Sequence, residues 1–455
     1  MSSAIWVALL CLFALSKATT KNSPLLTKRD SISPIAFDTE QDHSYVYHLV
    51  NISVGTPPQN FRLRLNSAAD SWLPDAASSL CDDGACKHGS FDVSASDTFQ
   101  RESYVLRSTF GARGTTFNDT VQMGGMDLTE VRLGLANVSD VPIGQLGLAP
   151  SSVATDGIVY RLKELDHIVT AAYSLYLDEL DSTGGSLLFG AIDKAKYTGD
   201  LVAAPISSDS SGLRLTQLKI SQPDSEEEPY IDKYDNTTIS AKFYIGVRPT
   251  YLPHSWMNLL MYNMNGSLDV QYGPIVFCDT PTKEFKLEFQ FGGTEGPHIE
   301  VPLSGMMRPA MDGNAPLLST TGQEMCYLDV EDIDELAKVN SDYDNTTLLF
   351  GESFMRHAYM VFSPEDYHIA LAQAKFGVKD SDVVEFTDHT IPEAITASTT
   401  ESSVATATVG GASGTLNTDV PATTTGSTHN DAPGNRVPSS KPLALFALLA
   451  TWMTI

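Results

Sequence analysis

The chain has 455 residues, enough for two lobes with sizeable cores. Its 56 acidic residues against 29 basic ones give a formal net charge of -27. No run of Lys or Arg offers a face to phosphates, which argues against nucleic acid as a partner, and a solvated acidic surface repels anionic lipids and polyanions.

The first element is an apolar run, AIWVALLCLFAL at residues 4–15, followed by Ser16-Lys17-Ala18. Its length and the small residues after it read as a signal peptide over residues 1–18, too short to span a bilayer comfortably. Lys28-Arg29 then marks a dibasic processing point, leaving a short pro-segment at residues 19–29. From residue 45 to 380 the chain alternates apolar and polar residues in short runs punctuated by Gly, Asn, Asp and Pro, which predicts strands. The clearest are YVYHLVNISVG, NFRLRLN, AAYSLYLDEL, SLLFGAID, EFKLEFQFGG and HAYMVFS. Helical patterning is sparse, with candidates at residues 153–165, 254–262 and 330–338. A weak internal echo links the halves. Trp72-Leu73-Pro74 follows Asn66 as Tyr251-Leu252-Pro253 follows Tyr244, and Leu146-Gly147 matches Phe350-Gly351. Two lobes built on one plan would produce it.

Four cysteines lie outside the leader, Cys81, Cys86, Cys278 and Cys326. They make an even set suited to an oxidising compartment, and no His at ligand spacing accompanies them as a zinc site would require. No metal or other cofactor is expected. Asn51, Asn118, Asn137, Asn236, Asn265 and Asn345 each head an Asn-X-Ser/Thr sequon, which reads as a glycoprotein coat. Beyond residue 386 the chain becomes rich in Ser, Thr, Ala and Gly, with too little apolar surface to fold. Residues 386–430 read as a stalk. Residues 431–455, ending in the apolar tail PLALFALLATWMTI, read as a GPI-attachment propeptide with Asn430 as the first-choice attachment residue and Gly434 and Asn435 as alternatives. The expected destination is the cell surface, on the plasma membrane through a GPI lipid or transferred to the wall.

On these motifs the chain resembles the pepsin-like aspartic peptidases, and among them the GPI-anchored fungal yapsins. Gly55-Thr56-Pro57-Pro58-Gln59 matches the family's first turn. Ala172-Tyr173-Ser174-Leu175-Tyr176-Leu177, Gly185-Ser186-Leu187-Leu188-Phe189-Gly190 and Leu349-Phe350-Gly351-Glu352-Ser353-Phe354-Met355-Arg356 match its later signatures. The resemblance implies a mainly β, bilobal acid-protease fold with two β-barrel-like lobes flanking a cleft, the N-terminal lobe at residues 30–205 and the C-terminal lobe at 206–385. It also implies the disulfides Cys81–Cys86 and Cys278–Cys326.

Aspartic peptidases hydrolyse peptides with two carboxylates that share a proton around one water, because like charges so close cannot both ionise readily. Each lobe of the family supplies one Asp from a tight turn. Here the first position holds Asn66, followed by Ser67, Ala68 and Ala69 where Thr, Gly and Ser belong, with one residue missing before Trp72. The second holds Tyr244, and of that turn only Gly246 survives, with Arg248 where the family keeps a Thr. An amide cannot accept the water's proton, and a phenol ordinarily titrates near about 10. Asp70 and Asp235 are nearby carboxylates, the first at a place where the family often has Asp or Asn outside the dyad, the second nine positions before Tyr244. The flap stretch, residues 108–114, is several residues shorter than in the family. Phe110 stands where a Tyr would, beside Gly111. The expectation is therefore an inactive peptidase relative that binds an extended peptide or protein segment. The alternatives are an active aspartic endopeptidase with non-standard residues and a structural surface glycoprotein.

Overall fold

The computed structural model describes residues 32–41, 46–67, 70–108, 111–149, 157–179, 184–206, 212–221, 231–232, 239–269, 272–280, 285–313, 315–338 and 343–397. The leader, pro-segment and attachment signal, and with them Asn430, lie outside these residues. The expected stalk at 386–430 is corrected at its start: residues 386–397 belong to the fold, because Phe386 and Ile391 bury their side chains in an apolar cluster and Ile395–Thr396 pairs in parallel with Tyr197–Pro205, while the rest of that stretch lies outside the described residues.

The architecture is mainly β, as expected. Fourteen strands form one large sheet, in which the strand Val46–Val54 pairs with Gln59–Asn66 and the long hairpin Arg113–Met123 with Met126–Val138. A six-stranded sheet centred on Leu213–Ser221 and a four-stranded one containing Gly273–Phe277 make up most of the second half. The large sheet draws on both halves of the chain: Ala358–Ser363 and His368–Ala374 join it, the first beside Tyr173–Leu177. An apolar core runs from Ile35 to Leu371.

Each half repeats one local device. In the first, Gln59–Asn66 runs parallel to Gln145–Gly147, placing Asn66 beside Gly147. In the second, Ile239–Phe243 runs parallel to Thr347–Phe350, placing Phe243 beside Phe350. Trp72–Pro74 pairs in parallel with Met126–Val138, and Thr250–Leu252 with Val330–Asp332. The echo noted in the sequence therefore corresponds to two equivalent turns, each held by a parallel neighbour. Beneath the second turn sits an aromatic block of Phe243, Phe289, Phe291, Phe350 and Phe354, with Phe350 and Phe354 edge to face at 4.8 Å. Burying each such ring stabilises by about 1.5–3 kcal/mol, so the turn rests on a stiff floor.

Gly351 shows how closely the backbone packs there. A Cβ on it would lie 2.2 Å from the Pro249 carbonyl oxygen and 2.6 Å from that of Val247. These are fixed backbone atoms that cannot move aside. Gly351→Ala is expected to destabilise by about 3 kcal/mol, read as a drop in the thermal midpoint; an unchanged midpoint would show that the turn can yield.

One expectation about helices needs correction. Residues 330–332 are a strand, because pairing with Thr250–Leu252 satisfies their backbone, and the helix is confined to Ile333–Ala337 with Asp332 as its cap. The first candidate forms Ile158–Glu164, while residues 153–156 are outside the described set. The second forms His254–Asn263 as predicted. A short helix at Glu352–Met355 was not foreseen.

Candidate functional site

Asn66 ends its strand fully buried, and its carbonyl accepts from Leu148 N at 3.0 Å. Tyr244 follows its strand, also buried, and its N–H donates to the Phe350 carbonyl at 2.9 Å. The two equivalent turns thus deliver their chemically distinctive residues to one place. The Tyr244 hydroxyl donates to Asn66 Oδ1 at 3.2 Å, joining residues 178 apart in sequence. Beside it Ile245 N donates to Ser67 Oγ at 2.9 Å. An amide and a phenol meet at this junction, held on both sides by backbone bonds. The pair can orient a water or a carbonyl. It offers no group of carboxylate acidity at the contact.

A carboxylate does enter the second turn from elsewhere. Gly246, at φ +92, donates its N–H to Glu352 Oε1 at 3.3 Å. Glu352 is fully buried, with His48 Nε2 at 2.8 Å and the Arg356 guanidinium at 3.1 Å. His48 in turn contacts Thr39 Oγ1 through Nδ1 at 3.0 Å, and Arg356 donates to the Asp178 carbonyl at 2.9 Å. Burial works against the Glu352 carboxylate, but His48, Arg356 and Arg248 together hold it below the ordinary carboxylate range. It is therefore the anionic centre of an ionic cluster and is kept ionised.

Arg248 belongs to the rim of that cluster. Burial lowers its guanidinium's proton affinity, while Asp329 and Glu352 oppose the shift. Asp329 is paired with Arg308 at 3.0 Å; burial raises its carboxyl, and Arg308 and Arg248 counter it. Three arginines and a histidine thus face two carboxylates around the second turn. In the first lobe Arg64, two residues before Asn66 on the same strand, is buried. It donates to Gln145 Oε1 at 2.9 Å with its guanidinium 5.8 Å from the Trp72 ring. Gln145 then reaches the Asp70 carbonyl at 2.9 Å and Ser108 Oγ, at the base of the flap hairpin, at 3.5 Å.

Sequence reasoning passed over Arg64, His48, Glu352 and Arg356. The signal was present for Arg64. In NFRLRLN the alternation puts residues 64 and 66 on one face, so a charge there points inward with Asn66. Phe110 lies outside the described residues. Gly111 is described at φ +64, with Asp140 so close that a Cβ would meet its Oδ2 at 2.7 Å, and Ser108 N bonds to the Ala112 carbonyl to close the hairpin. Asp70 is exposed, and Asp235 is not among the described residues. Both disulfides form as the resemblance implied, Cys81–Cys86 and Cys278–Cys326. Asn51, Asn137, Asn265 and Asn345 are exposed, Asn236 lies outside the described residues, and Asn118 donates its amide to Glu102 at 3.0 Å.

Next to the cluster, Glu331 is raised to about 7, by burial first and then by Asp329, with Tyr251 and Arg308 opposing. Its folded value lies above its ordinary 4.5, so the folded state binds the proton more tightly. Stability is therefore fully present below about pH 4.5 and is lost as pH rises towards 7. Glu331→Gln is expected to leave stability unchanged at acid pH and to raise it at neutral pH by up to about 3 kcal/mol, an upper bound because Glu331 keeps an edge at the surface. Thermal midpoints of both proteins at about pH 4 and 7.5 check this; a gap that does not widen with pH would refute it.

A bilobal β fold whose two matched turns meet at the lobe junction defines the class, and comparison with known proteins agrees. The sequence pattern of the eukaryotic aspartyl proteases matches residues 47–374, and the chain belongs to that family. It is 28% identical to the aspartic proteinase yapsin-3 of Saccharomyces cerevisiae over 398 residues, covering 80% of this chain and 74% of the relative. It is 26% identical to a probable aspartic-type endopeptidase, OPSB, of Arthroderma benhamiae, covering 92% and 84%. It is 27% identical to secreted aspartic protease 3 of Candida albicans, covering 78% and 85%.

Proposed function

We propose that this protein is a secreted, GPI-anchored surface glycoprotein that uses an aspartic-protease groove to bind extended peptide or protein segments without cutting them. The observation that carries this reading is the Tyr244–Asn66 hydrogen bond at the place where the family's chemistry needs two carboxyls sharing a proton. Main-chain bonding of an extended segment needs no acid or base, so the scaffold retains a binding role after its proton chemistry is removed. Surface tethering rests on the leader and tail of the sequence. Among the described residues no helix is long and apolar enough to cross a membrane.

Membership in a protease family favours a second reading, an active endopeptidase in which other residues supply the dyad. The two are separated by a peptide library incubated with the secreted protein. Retention of unmodified peptides with no new termini in the mass spectrum supports binding without cleavage. Tight binding of pepstatin together with cleaved products supports the active enzyme. Failure to retain any peptide would leave the scaffold a structural surface module.

A further inference from the structure

A groove of about 770 Å³ lies away from the Asn66–Tyr244 junction, on the outer face of the first half. Its floor is a polar row across three strands. Ser53 sits opposite Asn60 on one side and Gln122 on the other, and Asn51 lies on the same face two residues before Ser53. The glycine turn at residues 124–125 and the loop at 87–89 wall it in. Its volume falls in the range of about 300–1,000 Å³ that small ligands fill.

The chemistry of the lining selects a neutral, hydroxyl-rich occupant. Arg62 and His88 are both held by Glu40, and Arg62 also approaches Asp38 at 3.3 Å. Their charge is thus matched from outside the groove; Lys87 and Asp127, which also line it, are of opposite sign, so the lining carries no unbalanced charge, and the floor itself presents amides. Ser53 Oγ donates to Asn60 Oδ1 at 2.7 Å, which turns the Asn60 amino group outward as a donor. Gln122 is exposed and offers both a donor and an acceptor. Alternating donors and acceptors beside the apolar side chain of Met126 suit the two faces of a sugar ring.

Asn51 is itself a sequon residue, exposed on the groove lining. We infer that the groove seats the core sugars of an N-linked glycan carried by Asn51. Tethering makes this docking intramolecular, with an effective concentration of the order of millimolar, so a few amide–hydroxyl hydrogen bonds suffice to hold it. The glycan would cover the 87–89 loop and fix the outer face of the lobe. The inference rests on the glycoprotein part of the proposed function.

The test uses the whole chain secreted from a eukaryotic host. Glycopeptide mass spectrometry first reads occupancy at Asn51. Native deglycosylation by an endoglycosidase then compares release at Asn51 with release at Asn345, which stands on an exposed turn. The expected result is an occupied Asn51 whose glycan is released about tenfold more slowly. Gln122→Ala, and independently Asn60→Ala, should bring release at Asn51 up to the Asn345 rate without lowering occupancy. An unoccupied Asn51 would overturn both the inference and the glycoprotein reading at this residue. An occupied Asn51 with equal release rates, or protection that persists in both variants, would overturn the groove assignment alone.

Discussion

Cleavage of a mixed peptide library by the secreted protein is expected to be absent between about pH 3 and 7, the range over which carboxylate pairs titrate. A positioned general acid or base contributes about 10²–10⁴ in rate, and the contact at this junction supplies neither. Restoring Asp at both positions is expected to recover little. Tyr244 reaches Asn66 with a whole phenol ring between backbone and hydroxyl. An aspartate is shorter than a tyrosine, so Tyr244→Asp withdraws its oxygens from residue 66 instead of placing them where the hydroxyl now sits. The Asn66→Asp, Tyr244→Asp protein should therefore stay at least about 10²-fold below an intact family member under identical assay. Mass spectrometry of the digest decides it. Abundant cleavage by the native protein that vanishes on Asn66→Ala or Tyr244→Phe would show that this amide and phenol do perform hydrolysis.

The second large effect concerns the buried ionic cluster. Glu352 sits between His48 and Arg356, all nearly without solvent. Glu352→Ala leaves the Arg356 guanidinium buried without its carboxylate and His48 without its acceptor, which is expected to cost about 3–5 kcal/mol. The pH dependence follows from the direction of the shift. Glu352 is held below its ordinary 4.5. The stability it provides is complete above that value and is lost as pH falls through its lower folded value. Native protein should lose stability on acidification below about pH 4.5, whereas Glu352→Gln should start less stable and show a shallower acid decline. Thermal midpoints from pH 3 to 7 measure both slopes; parallel curves would remove Glu352 from the acid response.

How much of this was legible beforehand depends on the range of the interaction. The strand Gln59–Asn66 could be drawn from its alternation, because a two-residue period is local, and Ala358–Ser363 from a short apolar run buried along almost its whole length. Residues 330–332 were misread as helix because their partner, Thr250–Leu252, is some eighty residues away in the chain and local periodicity carries no trace of it. The disulfides followed from family resemblance, since four cysteines permit three pairings.

By itself the sequence determined the family architecture, the strands that end at residues 66 and 243, and the presence of Asn at 66 and Tyr at 244. These depend on residue identity and short-range pattern. Only the tertiary structure decided that the Tyr244 hydroxyl meets the Asn66 amide, and that Glu352, more than a hundred residues beyond Gly246, anchors the second turn with His48 from the other end of the chain. The reason is physical. Such contacts arise when separate strands converge on one buried point, where desolvation forces each polar group to find a partner wherever the chain supplies one.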